Sequence, residues 1–425
     1  MLIGALFGVF ALCLILGAPI GIALGLSSVV YLWLADIGLA VVPQYMFAGM
    51  DSFVLLCIPG FVLAGNLMNG GGITDQIVRF GNSVVGHVRG GLALANVIGS
   101  MIFAGISGTA VAETASIGAV MIPAMKKSGY DAPFAAAVTA AASTVGPIIP
   151  PSVPMIIVGT LTGLSVGKMF LAGALPGLLL GVGMMITVAI LSHRRGYPKG
   201  TWLGLAHVFA TSKAAVWAIL MTVIILYGIV GGVFTPTEAS VVAALYAFVV
   251  GLFIYKGFRL ADLPRILVES AIGSGALVLL VGLANVFGWI LTSEQIPQTI
   301  ASAMLSVTTN KYLIILLINI LLLIVGTFME TIAALIILFP PLLAVAVKVG
   351  IDPIHFAIFA VLNLMIGLTT PPVGVCLFVA ANIAKIDMGK ISRAIVPFLI
   401  CNILVLFLVS YVPAISLWLP SLFYR

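Results

Sequence analysis

One pattern occurs twice in this chain, and no other feature narrows the choice of fold so far. The first copy reads Gly105-Ile-Ser107-Gly108-Thr109, then Glu113-Thr114, Pro123 and Gly146-Pro-Ile-Ile-Pro150-Pro151-Ser152. The second reads Gly326-Thr327-Phe-Met329-Glu330-Thr331, then Pro340 and Gly367-Leu-Thr369-Thr370-Pro371-Pro372-Val-Gly374. The interval from Glu113 to Glu330 equals that from Pro123 to Pro340. A second, slightly longer interval separates Gly129 from Gly350, Gly146 from Gly367, and Pro150 from Pro371. Such constant offsets indicate an internal duplication. On this reading the register changes once within the motif, by about one helical turn, and Glu113 and Glu330 are equivalent.

The duplicated unit cannot sit in water. Hydrophobic residues make up 62% of the chain and charged residues 7%, where a soluble protein carries about 25% charge. Apolar stretches long enough to span a bilayer recur throughout, so the chain reads as an all-α, multi-pass membrane protein. The basic balance, 18 Lys and Arg against 12 Asp and Glu, then reflects loops on the cytoplasmic side rather than a nucleic-acid partner. Cys13, Cys57, Cys376 and Cys401 are scattered in apolar runs with no CxxC, so neither a metal site nor a disulfide framework is expected. The first basic residue is Arg79, so no cleavable leader is expected.

Each half divides in the same way. Residues 2–34 exceed one crossing, and Gly17-Ala-Pro19 divides them into spans over 2–16 and 19–34, or kinks a single helix. Phe234-Thr-Pro236 separates the counterpart spans, 214–232 and 238–255. A third span covers 52–69, with a polar interfacial helix over 73–86, and its counterpart covers 272–292. The apolar run 90–127 is interrupted at Gly105-Ile-Ser107-Gly108, and 311–347 at Gly326-Thr327. Each reads as a re-entrant hairpin with arms of about 15 residues, too short to cross comfortably. The runs 131–165 and 353–384 contain the paired prolines and read as discontinuous spans. Spans over 169–192 and 394–419 close the halves, and 194–213 links them. The total is about ten transmembrane helices plus two hairpins. Five spans per half invert the second half. With the amino terminus outside, only Lys168, Lys311, Lys348 and Arg425 of the 18 basic residues fall outside, leaving fourteen inside, as the positive-inside rule requires.

Inverted repeats with broken helices are the architecture of secondary transporters. A helix that begins at mid-membrane aims N–H groups and a partial positive charge at the centre; one that ends there aims carbonyls. Helix starts can hold an anion, and helix ends with hydroxyls can hold cations. Two cation sites follow: Ser107, Gly108, Thr109, Ser143 and Gly146 in one half, and Gly326, Thr327, Met329, Thr369 and Thr370 in the other. An anionic substrate is placed between the tips, near Pro150, Pro151 and Ser152 and near Pro371, Pro372 and Gly374. Glu113 and Glu330 admit two readings. They shape or gate the cation sites, or they cap the second hairpin arms. Asn66, Asn96, Asn285, Asn319, Asn363 and Asn382, within spans, read as inter-helix hydrogen bonds, the first two alternatively as substrate contacts. An enzyme is not indicated. Ser107 sits in a GxSG pattern, but His87, His193, His207 and His355 fall at membrane edges, away from a serine that would need a base. A channel is disfavoured because two broken spans suit alternating access.

These stretches resemble the large membrane subunit of tripartite ATP-independent periplasmic (TRAP) transporters, the DctM-like family. The resemblance runs through Gly65-Asn-Leu-Met68, Ser107-Gly-Thr-Ala-Val-Ala112, Ile122-Pro-Ala-Met-Lys126, Gly146 to Ser152, Tyr227 to Ala239 and Gly367 to Gly374. The family commonly has Asp where Glu113 stands. The resemblance implies an elevator-type carrier in the bacterial inner membrane that couples Na⁺ to uptake of an organic acid, such as a C4-dicarboxylate or sialic acid. It implies two protein partners, a small four-helix membrane subunit and a periplasmic binding protein. The small subunit is not expected to be fused at this amino terminus. Residues 1–86 and 196–305 would form the scaffold, and 87–195 and 306–425 the moving transport domain.

Overall fold

The computed structural model describes residues 2–202 and 204–424, with the side chains of Gly105, Ile106, Ser107, Ala214 and Ala301 outside that description. Among the described residues the fold is all-helical, and no strand is present beyond one isolated bridge between Arg89 and Lys199. The apolar start forms two helices as expected, α1 (Leu2–Ile15) and α2 (Ile20–Leu34), with Gly17 left-handed and Pro19 preceding α2. A short helix, α3 (Val41–Met50), follows. Then come α4 (Cys57–Gly70) and the interfacial α5 (Ile73–Val85), whose Ile73 and Ile77 are buried while Asp75 and Arg79 face outward.

The first hairpin is α6 (Gly91–Ser107) and α7 (Ala110–Lys127), and the second is α15 (Lys311–Phe328) and α16 (Thr331–Lys348). Their arms of 17 and 18 residues are longer than the sequence suggested. The first broken span is α8 (Ala132–Ala142) with α9 (Val153–Thr162), and the second is α17 (Pro353–Gly367) with α18 (Val375–Ala384). A long helix, α10 (Val166–Arg194), ends the first half. The second half opens with α11 (Leu205–Val230), earlier than its expected start, then α12 (Pro236–Val249), α13 (Leu263–Ser293) and α14 (Ile296–Val307). A short α19 (Met388–Ala394) precedes the expected closing span, 394–419, which is in fact two helices, α20 (Val396–Tyr411) and α21 (Pro413–Phe423); Pro397 stands in the first turn of α20 and Pro413 begins α21.

The breaks have local causes. Gly108 takes a left-handed φ of 62° and ends α6. Ser152 starts α9, its hydroxyl accepting from Met155 N–H at 3.3 Å. Asp352 caps α17 through the N–H groups of Ile354 and His355 at 2.8 and 3.1 Å. Both Pro-Pro bonds, Pro150-Pro151 and Pro371-Pro372, are cis.

The structure corrects two readings of the duplicated motif. The second tip lies at Met329–Glu330, not at Gly326–Thr327, which belong to α15. The repeat then follows one offset across the whole hairpin, because α7 and α16 are separated equally at their starts and at their ends. That offset is also the one between the two Pro-Pro pairs. Glu330 therefore matches Thr109, and Glu113 matches Ala334. The shared Glu-Thr pairs are one turn out of register with it, so the two glutamates are not equivalent.

Candidate functional site

The two halves exchange arms. In each half the second arm of the hairpin packs on the first part of its own broken span, α7 on α8 and α16 on α17. It also packs on the second part of the other repeat's broken span, α7 on α18 and α16 on α9. The hairpins and broken spans of the two repeats are thus interlocked.

Glycine makes this approach close enough. At Gly108 a Cβ would lie 3.1 Å from Val153 Cγ2 and 3.5 Å from Pro151 O, so the first tip rests on the first proline break. At Gly146 a Cβ would overlap Glu113 Oε2. At Gly367 a Cβ would lie 2.5 to 2.7 Å from the backbone of Gly326. The first hairpin thus meets Gly146, and the second meets the segment entering Thr369-Thr370.

The hydroxyls proposed as cation ligands share one arrangement. Ser143 donates to Thr139 O at 2.8 Å, Thr327 to Leu323 O at 2.8 Å, Thr369 to Ile366 O at 2.9 Å and Thr370 to Ile366 O at 2.8 Å. Each hydroxyl proton is committed to its own helix, which leaves oxygen lone pairs to accept or coordinate. The side chain of Ser107 lies outside the described residues. Met329 ends α15 with its N–H on Val325 O.

The glutamates divide the two readings between them. Glu330 is a helix cap, its Oε2 accepting from Ile332 and Ala333 N–H at 2.8 and 3.3 Å. Glu113 is fully buried one turn inside α7, facing Ser100 and adjoining Cys376 of α18. Among the described residues, neither carboxylate oxygen of Glu113 has a hydrogen-bond partner within 3.5 Å, and the Ser100 hydroxyl offers at most a longer polar contact. A buried carboxylate with no partner is costly unless something compensates it, which marks this side chain as a candidate working residue.

A cavity of about 390 Å³ opens beside the first tip, between α4, the first hairpin and α13. Its wall includes Asn66, Asn69, Thr109, Ser116 and Glu269. Asn66 Nδ2 donates to Ser270 Oγ at 2.8 Å, and Asn69 Nδ2 to Ser116 Oγ at 2.9 Å. The six residues expected to hold substrate are not among its described wall residues. Pro150, Pro151 and Ser152 are buried, Pro371 is half-buried and Pro372 exposed, and Gly374 begins α18.

The inter-helix hydrogen bonds expected of Asn96, Asn319 and Asn363 are present, and the structure adds their partners: they tie each hairpin to its broken span. Asn96 of α6 donates to Thr139 Oγ1 of α8 at 2.6 Å, and Asn363 of α17 donates to Asn319 Oδ1 of α15 at 2.8 Å. All four residues are fully buried. The signal available was an asparagine in an apolar arm, which names no partner.

Comparison with known proteins places this arrangement. Residues 7–415 match the family profile described as "Tripartite ATP-independent periplasmic transporter, DctM component". The chain is 40% identical over 423 residues to the sialic acid TRAP transporter large permease protein SiaM of Vibrio cholerae, covering 99% of each. It is 42% identical over 376 residues to the C4-dicarboxylate TRAP transporter large permease protein DctM of Pseudomonas aeruginosa, covering 88% of each. Among solved structures, the crystal structure of the Alcanivorax borkumensis YdaH transporter shares the fold, with a TM-score of 0.62, 16% identity and coverage of 89% of this chain and 87% of that one.

Proposed function

The chain belongs to the DctM component family of tripartite ATP-independent periplasmic transporters, and from that premise we propose that it carries an organic acid across the inner membrane by coupling the acid to Na⁺. Being a multi-pass permease subunit of such a system, it works with a small membrane subunit and a periplasmic binding protein. The substrate is a carboxylate of the kind its relatives are named for, a C4-dicarboxylate or sialic acid.

The observation that carries the proposal is the interlocking of the two hairpins with the two broken spans, with Gly108 on the Pro151 break and Gly367 on Gly326. Helix ends and committed hydroxyls leave carbonyl and hydroxyl lone pairs for a hard cation. Ser107, Gly108, Thr109, Ser143 and Gly146 serve one site. Gly326, Thr327, Met329, Thr369 and Thr370 serve the other. The helix starts after Pro151 and Pro372 aim N–H groups at the carboxylate. No Lys or Arg occurs between Arg89 and Lys126, between Lys127 and Lys168, or between Lys348 and Lys385. Backbone N–H groups and bound Na⁺ therefore supply the positive charge, and that makes acid uptake depend on Na⁺. Movement of the two hairpins and broken spans as one body past α1–α5 and α11–α14 would alternate access.

The test is uptake into proteoliposomes with the partner proteins, comparing candidate acids with and without an inward Na⁺ gradient. Uptake should require the gradient and should fall in Ser107→Ala and Thr369→Ala, with higher Na⁺ needed for half-maximal rate. Uptake indifferent to Na⁺, or both variants keeping the wild-type Na⁺ dependence, overturns the assignment.

A further inference from the structure

A second cavity has a volume of about 550 Å³. Three elements enclose it: the end of α5 at Asn82 and Gly86, the base of the first hairpin at Ser128 and Tyr130, and the segment from Pro198 to Thr201 that leads into α11. Backbone bonds hold the three together. Gly200 N–H donates to Gly86 O at 3.0 Å and Gly90 N–H to Pro198 O at 3.2 Å, beside the bridge between Arg89 and Lys199.

The polarity of the wall is one-sided. No carboxylate is among its described residues. The nearest one in sequence, Asp131, is already matched: Arg195 Nη1 lies 3.5 Å from it, and the Tyr197 hydroxyl donates to it at 2.7 Å. Lys199 is exposed to the cavity and makes no ion pair among the described residues. Ser128 and Thr201 present hydroxyls that make no hydrogen bond among the described residues. Arg89 and Lys127 are exposed nearby in the chain, whereas Lys126 is engaged by Ala384 O at 2.9 Å. An ammonium, two free hydroxyls and neighbouring cations, with no opposing carboxylate, match a compact oxyanion with several acceptor oxygens. The position at the end of an interfacial amphipathic helix, on the face that carries most of the basic residues, is where anionic headgroups gather.

We propose that this cavity binds a phosphate-bearing anion, with Lys199 as its charge partner and Ser128 and Thr201 as hydrogen-bond donors. The phosphate is free in solution or is the headgroup of an anionic phospholipid. Because one wall is α5 and another is the base of the first hairpin, an occupant ties the two together and favours the arrangement seen in this structure.

Thermal unfolding of the purified full chain tests this without reference to transport, so it stands or falls apart from Na⁺ coupling. Three probes are titrated: inorganic phosphate, dihexanoyl phosphatidylglycerol, and dihexanoyl phosphatidylcholine as the zwitterionic control. The expected result is a saturable rise in melting temperature with phosphatidylglycerol and little with phosphatidylcholine. Half-saturation should move up about tenfold in Lys199→Gln, the loss of one charge-assisted contact. It should stay near wild type in Lys199→Arg and in Lys390→Gln, whose lysine lies on α19 and is not among the cavity's described wall residues. A matching response to inorganic phosphate assigns the site to the free anion; a response to the lipid alone assigns it to the headgroup. If Lys199→Gln does not fold, the double variant Ser128→Ala, Thr201→Val must show the same weakening. No saturable response to either anion, or the same response in Lys199→Gln and Lys390→Gln, overturns the proposal.

Discussion

Replacing Gly367 with alanine puts a methyl group where the structure has no room for one. The new Cβ would meet Gly326 C, Cα and O at 2.5, 2.6 and 2.7 Å. Carbon atoms rest at about 3.5 to 4.0 Å, so α15 and α17 must part by roughly 1 Å. All three obstructing atoms are backbone, and no side chain can swing aside. Overpacking of this kind costs about 1–3 kcal/mol, and a rigid obstacle belongs at the upper end. The separation also strains a second contact. Asn363 is one turn from Gly367 on the same face of α17, and its 2.8 Å bond to Asn319 Oδ1 stretches beyond hydrogen-bond range. That adds about 1 kcal/mol. The sum, about 4 kcal/mol, corresponds to nearly three orders of magnitude in any equilibrium that needs the junction closed. Gly326→Ala is the control. Its Cβ would meet Gly367 Cα, Leu364 Cα and Leu364 Cδ2 at 3.3 Å each, which a shift of a few tenths of an ångström relieves. Thermal melting and uptake are measured on both. Gly367→Ala should melt well below wild type and lose uptake; Gly326→Ala should melt close to wild type. If Gly367→Ala melts and transports like wild type, or Gly326→Ala is the more damaged, the packing argument fails.

Other outcomes follow from single contacts. Glu330→Ala removes the cap from Ile332 and Ala333 N–H and should cost about 1 kcal/mol in unfolding free energy, with Glu330→Asp recovering most of it. Glu113→Ala should depress uptake more than Glu330→Ala does, although both remove a carboxylate, because Glu113 is the unpartnered one and packs on Gly146. Equal losses in the two variants would mean that the glutamates do share one role. Asn96→Leu should cost about 1 kcal/mol of stability by removing the donor to Thr139 Oγ1, whose own proton stays on Ala135 O, and Thr139→Ser should be nearly silent; a neutral Asn96→Leu would show that the bond does not hold the arm.

How far the chain could be read in advance depended on the kind of interaction. Helix breaks were legible because Gly108, Pro151 and Pro372 act through their own backbone geometry, which a sequence displays. The second tip was misplaced for the converse reason. Gly326 looked like an interruption, yet it is a helical glycine kept small for Gly367 to pack upon. Only the partner, on a different helix far along the chain, distinguishes these two uses of glycine. Likewise, the matching Glu-Thr pairs suggested two equivalent carboxylates. Residue identity does not report that one caps a helix start while the other points inward a turn later. The amide pairs, Asn96 with Thr139 and Asn319 with Asn363, depend on how two helices are rotated against each other, a quantity absent from periodicity. At the candidate site, the residues of the breaks were named beforehand. Asn69, Ser116 and Glu269 were not, because α4 and α13 meet the hairpin only after the domains assemble.

The exchange of arms between halves leaves neither half a complete bundle by itself. Each half packs α7 or α16 on a helix that its twin supplies, α18 or α9, so a chain cut at the 196–204 connection should keep this architecture only where both fragments are present to reassociate.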